Sequence, residues 1–382
     1  MSEFLAESVA LNWRRAAPFW AALLLVPVAI TSALVGGWTV LLLPLVTWYL
    51  FAMLDLVLGT EQDNMNPDTG DAHLTIYTAV TLIWAPLQFG LLFWMIWYAT
   101  GPGDAHLKPL ETIGLFFGMG VISGTIGINF AHELMHQKSR TERRMADVLL
   151  AMVMYSHFRS EHLLVHHRYV GTPKDPVTAR YNEGFFRFFA RVLPECYVSA
   201  FRAEAALQAR KGNPWYARAN PFWIYWGLQA FFVTLAVLLG GWIGLALFLW
   251  QAFIAIWQLE LVNYVEHYGL TRKHLGDGKY EHVRPHHSWN ASQKASNWLL
   301  INLQRHSDHH YKPSRRFPLL QNYADEDAPQ LPYGYPVMTV AAMIPPLWRR
   351  IMNVRVRNWR KTRYPEIVDW RAYNTATHPP PR

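Results

Sequence analysis

Nine histidines, arranged as three clusters and a singleton, are the residues best suited to chemistry in this 382-residue sequence. They are His132, His136, His162, His166, His167, His267, His306, His309 and His310. Neutral imidazole is a common ligand of redox metals such as iron and copper. Nine imidazoles are more than one ion can bind, so their number predicts a centre of two metal ions.

The spacing within each cluster predicts which histidines share a metal. Residues four apart lie on one face of an α-helix, one turn apart. We therefore expect His132 with His136, and His162 with His166, to point into a common pocket. His167 follows at about 100° around the helix, so we expect it to reach the neighbouring metal. The third cluster repeats this arrangement with His306, His309 and His310.

Acidic residues near the clusters are candidates for a supporting role. Neutral ligands do not offset the charge of two cations, and a metal-bound imidazole needs its second nitrogen held, often by a carboxylate. The candidates for orienting imidazoles and offsetting charge are Glu133, Glu161, Glu266, Glu281 and Asp308. The other histidines near the clusters are interpreted as structural or supporting: His157, His282, His286 and His287.

The elements that must position these histidines are long and apolar. Hydrophobic residues make up 52% of the chain and charged residues only 16%, whereas soluble domains are about a quarter charged. Six runs with at most one charged residue approach the length that spans a bilayer, at about 18–35, 38–58, 74–98, 112–131, 221–239 and 242–259. Gly36-Gly37 and Gly240-Gly241 are expected to break two pairs of runs into tight hairpins. The fourth and sixth runs are expected to continue as helices that carry His132, His136 and His267.

The distribution of basic residues predicts the orientation in the membrane. With a cytoplasmic N-terminus, 34 of the 35 Lys and Arg residues lie on the cytoplasmic side and only Lys108 lies outside. This bias is typical of multi-pass proteins, and it explains the net charge of +8 without nucleic-acid binding. The predicted fold class is an all-α integral membrane protein of the bacterial inner membrane. A single domain, 1–382, has six transmembrane helices, a cytoplasmic helical cap at 132–220 and 260–352 that holds the histidines, and a tail at 353–382.

Two further features limit the possible functions. The single cysteine, Cys196, excludes an internal disulfide and a four-cysteine iron centre within this chain. Glu3 and Glu7 precede the first apolar run and no A-x-A site follows it, so no cleavable signal peptide is predicted.

Two other functions compete for the histidines. The sequence from His132 to His136 also reads HExxH, the zinc-protease signature in which Glu133 would be the general base. That interpretation leaves the other clusters unexplained. A membrane metal transporter would place its binding groups near the bilayer midplane, whereas these histidines follow the apolar runs.

The sequence resembles the membrane-bound non-haem di-iron alkane 1-monooxygenases in several motifs. The matching strings are HELMHQK (132–138), EHLLVHH (161–167), NYVEHYGL (263–270) and LQRHSDHH (303–310), with TPKDP (172–176) and YEHVRPHHSWN (280–290) as further matches. Histidine spacing alone would also fit membrane desaturases and hydroxylases that act on fatty-acyl or aromatic substrates. Val165 departs from the glycine that is common in the family, but no ligand is lost by this change.

The resemblance implies a specific reaction and specific partners. All nine histidines would bind two iron ions, without carboxylate bridges, and O2 would be used to hydroxylate the terminal CH3 of medium-to-long-chain n-alkanes to 1-alkanols. Electrons would come from rubredoxin and its reductase. Some relatives carry a fused rubredoxin, so the proline-rich end of the chain is either a simple terminus or a linker to a lost rubredoxin domain.

Trp48 is the candidate for the wall of a substrate channel. It lies about ten residues from the cytoplasmic end of its run, or roughly 15 Å into the bilayer. Its position resembles the family position where side-chain bulk limits alkane length, so Trp48→Ser is expected to admit longer alkanes. The alternative is a lipid-facing or core tryptophan. Asp55 is either a cap residue or close to the site.

The basic cytoplasmic surface has two possible roles. It would either dock an acidic rubredoxin by electrostatic attraction or simply face lipid head groups. The docking candidates are Arg315, Arg316, Arg349 and Arg350.

Overall fold

The computed structural model describes residues 13–375, so Glu3, Glu7 and the proline-rich end of the chain lie outside the described residues. In chain order its elements are α1 (Trp13–Val35), α2 (Gly37–Leu58), α3 (Thr75–Ala99), α4 (Pro109–Met135), α5 (Arg140–Met152), α6 (158–169), α7 (Phe185–Arg210), α8 (Phe222–His267), β1 (His274–Gly276), β2 (Lys279–Tyr280), α9 (Lys294–Leu299), α10 (His306–Tyr311), α11 (Tyr335–Ala342), α12 (Pro345–Arg363) and α13 (Arg371–Asn374). Short 3-10 turns lie at Asp71–His73, Pro102–Ala105, Pro285–His287 and Phe317–Leu319.

Five of these helices, α1 to α4 and α8, are long and apolar enough to cross a membrane. The chain is therefore a mostly helical, multi-pass membrane protein. The predicted hairpin between α1 and α2 is confirmed, because Gly36 and Gly37 adopt φ values of 67° and 60° that other residues rarely reach. Helix α4 extends past the fourth apolar run and carries His132, while His136 follows at its C-terminal cap.

Helix α8 contains two predicted runs and turns back on itself between them. It has 46 residues, with one non-helical residue, Gly241, at φ 59° and ψ −150°. A straight helix of that length would measure roughly 69 Å, more than twice the hydrocarbon core of a bilayer. A Cβ built on Gly244 would lie 2.6 Å from the carbonyl oxygen of Ala236, although eight residues span about 12 Å along a straight helix. The two halves therefore pack against each other on either side of Gly241.

Close packing of α4 against α8 depends on two glycines. A Cβ at Gly120 would lie 2.6 Å from the carbonyl oxygen of Gln251, and one at Gly124 would lie 2.7 Å from Cβ of Gln258. Small residues allow the backbones of membrane helices to approach in this way. The contact holds the histidine-bearing ends of α4 and α8 side by side, since His132 and His267 lie at those ends.

A second hydrophobic cluster includes residues of α7, α11, α12 and the C-terminal end of α8. Helix α12 crosses position 352/353, where the predicted cap ends and the predicted tail begins. Met352, Val356 and Trp359 recur at helical spacing and are all buried. Numerous arginines and lysines on the opposite face made this segment look like a polar tail. The strands β1 and β2 form an antiparallel hairpin, a small departure from the predicted all-α fold.

Candidate metal centre

Five histidines from three helices converge on one point. The end of α4 supplies His132 and His136, α6 supplies His162 and His167, and α10 supplies His309. The Nε2 atom of His162 lies 3.0 Å from Nε2 of His132, 2.9 Å from that of His167 and 3.4 Å from that of His309. Nε2 of His167 is also 3.2 Å from Nε2 of His136. We call these five residues the first histidine group.

Four buried histidines form a second histidine group beside the first: His166, His267, His306 and His310. One nitrogen from each lies within 4.8 Å of the others. Nε2 of His306 is 3.2 Å from Nε2 of His267 and 3.0 Å from Nε2 of His310. The groups are neighbours, since the rings of His167 and His310 have centroids 4.7 Å apart. The described residues thus hold two adjacent sets of converging imidazole nitrogens.

The expected pairing within the second cluster is wrong. We expected His162 and His166 to share a pocket and His167 to reach the neighbouring site, but His162 and His167 share the first group and His166 joins the second. The reason is that residues His162–His166 form a π-helical turn. A π-helix bonds residue i to residue i+5 rather than i+4, so residues five apart share a face. In α10, which is an ordinary α-helix, His306 and His310 share a group as the α-helical spacing predicts.

The spacing of these nitrogens fits metal ions. Imidazole nitrogens bind zinc at about 2.1 Å, so ligands at octahedral or tetrahedral angles lie about 3.0–3.4 Å apart. The observed separations of 2.9–3.4 Å in the first group agree with this geometry. In the second group, Nδ1 of His166 contacts Asp175 while its buried Nε2 has no hydrogen-bond partner among the described residues. A metal ion would satisfy that nitrogen.

Burial favours the neutral, metal-binding form in five of these imidazoles. It lowers the pKa of His136 to about 3. Burial, reinforced by the neighbouring histidines, also lowers the pKa of His162, His167, His309 and His310 well below the usual value. An all-imidazole donor set suits iron, copper, zinc or nickel, so the residues present fit a pair of such ions.

The structure separates the five predicted supporting acids. Glu266 lies nearest to the centre, with Oε2 3.3 Å from Nε2 of His306. This Nε2 atom faces the other nitrogens of the second group. Glu266 therefore lies beside the place where an ion would bind, and it does not contact Nδ1 of His306 on the far side of the ring. Both buried oxygens of Glu161 have no partner among the described residues, and burial raises the pKa of this carboxyl.

The other three acids contact groups outside the nine histidines. Glu133 accepts a hydrogen bond from Gln137 at 2.9 Å. Glu281 accepts from the backbone of Lys273 at 2.6 Å and lies 3.5 Å from His287. Asp308 pairs with Arg315 at 2.5 Å and accepts a hydrogen bond from Tyr323 at 2.7 Å. Nearness in sequence therefore did not predict contact with one of the nine histidines, because side chains next to each other on a helix point in different directions.

One supporting acid was missed. Asp175 Oδ2 lies 3.0 Å from Nδ1 of His166, and both side chains are fully buried. Thr178 donates to the same oxygen at 2.6 Å and the backbone N–H of Val177 donates to Oδ1 at 3.1 Å. This arrangement holds the carboxylate behind the imidazole, as carboxylates often support metal-binding histidines. Asp175 lies in the TPKDP string, so that motif was the available signal.

A cavity of about 60 Å³ lies between the membrane helices and the histidines. Its lining includes His132 and His162 of the first group, with Glu266 and His306 of the second. Much of its wall is apolar, with Ile128, Phe158, Leu259, Val262, Leu299, Leu300 and Leu303. Trp48 lines it, and the indole Nε1 donates a hydrogen bond to Oε1 of Gln258 at 3.1 Å. The cavity thus joins the apolar part of the protein to both histidine groups.

A second cavity of about 480 Å³ opens beside His136, which is half-buried. Lys138 and Lys312 lie on its rim and are exposed. Arg315 and Arg316 line it as well, but Arg315 pairs with Asp308 and Arg316 pairs with Glu142 at 2.8 Å. This surface cavity therefore meets the first histidine group at His136.

The similarity to known proteins covers the region that contains the nine histidines. Residues 109–342, which include all nine, match the family model of the fatty acid desaturases. The chain is 38% identical to alkane 1-monooxygenase 1 of Pseudomonas aeruginosa strain PAO1 over 315 residues, or 80% of each protein. It is 35% identical to alkane 1-monooxygenase 2 of Alcanivorax borkumensis strain SK2, over 88% of this chain and 89% of that protein. Identity to the hydroxylase component of a xylene/toluene monooxygenase of Pseudomonas putida is lower, 27% over 88% of each.

The converging histidines, the apolar helices and these relatives agree. The chain belongs to the fatty acid desaturase family and, within it, to the alkane 1-monooxygenases.

Proposed function

We propose that this protein hydroxylates the terminal CH3 of medium-to-long-chain n-alkanes to give 1-alkanols, using O2 at a centre of two iron ions. The observation that carries this proposal is the cavity of about 60 Å³, which is lined by histidines of both groups and is otherwise largely apolar. An alkane has no polar group, so it must be recognised by burial and shape, at about 0.8 kcal/mol per CH2. Relatives named alkane 1-monooxygenase over most of the chain support the same substrate class.

The nine histidines are proposed as the iron ligands, five in the first group and four in the second. Iron would supply the activation of O2 and the transfer of one oxygen atom to the substrate carbon. The protein supplies the neutral imidazoles, and Asp175 keeps the proton of His166 on Nδ1 so that Nε2 is free to bind. Glu266 adds a negative charge beside the second ion. This charge partly offsets a centre that neutral ligands leave cationic.

The wall of the cavity is proposed to orient the alkane. Leu299, Leu300 and Leu303 present apolar surface near the histidines, so only the end of an extended chain can approach them. Trp48 would restrict how far the opposite end extends. Exclusion of water by this wall would also protect the centre from side reactions.

The membrane arrangement is proposed to have six crossings, because the two halves of α8 fold back at Gly241. With a cytoplasmic N-terminus, both histidine groups lie on the cytoplasmic side of the inner membrane, together with 34 of the 35 Lys and Arg residues. A substrate dissolved in the bilayer would enter from between the helices.

Electrons are proposed to come from rubredoxin, reduced in turn by its reductase, since the one cysteine of this chain cannot form an iron–sulfur centre. The favoured docking surface is the rim of the cavity at His136, where Lys138 and Lys312 are exposed. Arg315 and Arg316 are poor candidates because buried or nearby carboxylates already pair with them.

The test is product analysis with the purified chain in lipid nanodiscs, supplied with rubredoxin, its reductase, 18O2 and n-alkanes from C6 to C16. We expect 1-alkanols that contain one 18O atom. A His166→Ala variant should lose this activity, whereas His287→Ala, which changes a buried histidine outside both groups, should retain it. Oxidation of a fatty-acyl ester or of xylene in place of every alkane would refute the proposed substrate class.

The zinc-protease interpretation has little support. His132 and His136 converge with three further histidines, whereas an HExxH site needs only one additional ligand beside a water. The carboxylate of Glu133 is engaged by Gln137. Peptide cleavage that requires zinc would revive this alternative.

A further inference from the structure

A third cavity, of about 440 Å³, lies where α1 begins, α2 has ended and α3 begins. It has no contact with either histidine group, and the proposed reaction does not use it. Four cationic side chains line it: Arg14, Arg15, Lys294 and Arg305. Glu61 and Asp63 are the acids of its wall, so cations exceed anions by two.

The cations are not all neutralised by the protein. Lys294 pairs with Glu61 at 3.1 Å. Arg14 and Arg15 are exposed at the first turn of α1 and pair with no carboxylate among residues 13–375. The mouth of this cavity therefore carries two guanidinium groups that no carboxylate of residues 13–375 neutralises.

Two buried polar groups inside the cavity lack partners. The hydroxyl of Tyr77, a side chain that is only 1% exposed, has no hydrogen-bond partner within the described chain, and neither has Nε of Arg305, which is 4% exposed. The other nitrogens of Arg305 are held by the carbonyl oxygens of Leu320 at 2.7 Å and Asp63 at 3.0 Å. Buried donors are almost always satisfied in folded proteins. Tyr77 and Arg305 both line the cavity, so an acceptor bound against them would satisfy these donors.

The cavity lies at the membrane surface. Arg14 and Tyr77 stand at the first turns of two spanning helices, α1 and α3. Trp13 is 49% exposed and its ring lies 6.3 Å from that of Trp20, as is typical of the aromatic residues at a membrane interface. Basic pockets between membrane helices on the cytoplasmic side are suited to phospholipid head groups.

We propose that this cavity binds the phosphate group of an anionic membrane phospholipid. Tyr77 and Arg305 donate to the phosphate from inside the cavity, and Arg14 and Arg15 hold it at the mouth. The shared chemistry is a phosphate anion, and two sources can supply it, a lipid such as phosphatidylglycerol or free phosphate. Position at the interface favours the lipid.

The test measures binding and thermal stability of the full-length chain with its metals, delipidated in detergent and titrated with phosphatidylglycerol or phosphatidylcholine. Arg14→Gln/Arg15→Gln should weaken phosphatidylglycerol binding roughly 30-fold, because each basic residue at a membrane surface contributes a factor of about five. Arg350→Gln/Lys361→Gln is the matched control, since it removes two exposed charges from α12, away from the cavity. This control should bind phosphatidylglycerol as the wild type does.

Tyr77→Phe separates binding from folding. It removes a hydroxyl that has no partner in the described chain, so without lipid the melting temperature should stay unchanged or rise. With phosphatidylglycerol, the increase in melting temperature should be smaller than in the wild type.

Two results decide the source of the anion and the proposal itself. If millimolar inorganic phosphate displaces the lipid and stabilises the wild type equally, the phosphate site stands and its occupant is soluble. Equal phosphatidylglycerol binding by the wild type, Tyr77→Phe and the double-arginine variant would overturn the proposal.

Discussion

The hydrogen bond between Trp48 and Gln258 should control the length of alkane that the cavity accepts. Trp48 donates through Nε1 to Gln258 at 3.1 Å, and its ring packs edge-on against Phe117 with centroids 5.7 Å apart. Both Trp48 and Gln258 line the cavity of about 60 Å³ beside the histidines. Gln258 thus holds the indole in one orientation at the wall of this cavity.

Gln258→Leu removes the acceptor and leaves the indole N–H unpaired in an apolar setting. An unsatisfied buried donor costs about 1–3 kcal/mol, so the preference for the observed orientation should fall by roughly 5- to 150-fold. The indole should then move aside for longer chains. Each additional CH2 that fits should raise kcat/KM by about fourfold, from the roughly 0.8 kcal/mol that burial of one CH2 provides.

The assay is competition among n-alkanes from C6 to C16 with 1-alkanols quantified by gas chromatography. We expect Gln258→Leu to shift the product distribution towards longer chains, with the change in KM rather than in kcat. Trp48→Phe removes the donor, and in that background Gln258→Leu should have little further effect. If Gln258→Leu lowers activity equally for all chain lengths, or if the two effects simply add, the reasoning is refuted.

Three further predictions concern residues in and around the metal centre. Asp175→Asn should weaken the iron affinity of the second group about 10- to 100-fold, because the imidazole of His166 loses its charged support, and iron titration would measure this. Burial lowers the pKa of His157 to about 4, whereas in the unfolded chain this histidine takes up its proton near pH 6.5. The free energy of unfolding should therefore decrease as the pH drops from 6.5 towards 4, by about 2 kcal/mol at pH 5. His157→Phe should flatten this dependence in unfolding measured in mixed micelles. Lys138→Glu/Lys312→Glu should raise the KM for rubredoxin and reduce its sensitivity to salt, with kcat unchanged.

Each of these variants has a control. Asp325→Asn changes an exposed acid and should leave iron affinity unaffected. His73→Phe alters an exposed histidine and should leave the pH dependence as in the wild type. Charge reversal at Arg350 and Lys361 should not change the KM for rubredoxin if docking is confined to the cavity at His136. If a variant and its control behave alike, the role proposed for the corresponding residue is contradicted.

Much of the architecture could be predicted because apolar length and glycine placement are local signals. Uncharged runs predict the long helices, and Gly36-Gly37 predicts the hairpin that φ values of 67° and 60° confirm. The types of residue also predict the metal centre, since clustered imidazoles are common ligands of redox metals. The extent of α12 was missed because its buried face alternates with arginines and lysines, so average polarity concealed its helical period.

The division of the histidines between two groups could not be predicted. It depends on a π-helical turn at His162–His166, and a turn of this kind inserts one residue without a sequence signal of its own. Contact between Asp175 and His166 likewise depends on how the chain returns after α6. Such pairings arise from tertiary packing, so spacing along a single helix does not contain them.

The most direct test of the account is the iron content of the purified protein, measured by mass spectrometry of metals against chain concentration. We predict two irons per wild-type chain. We further predict that His167→Ala lowers occupancy of the first group and His310→Ala lowers that of the second, each leaving about one iron per chain. A single iron, a single zinc, or equal loss of both ions in every histidine variant would contradict two separate groups of five and four ligands.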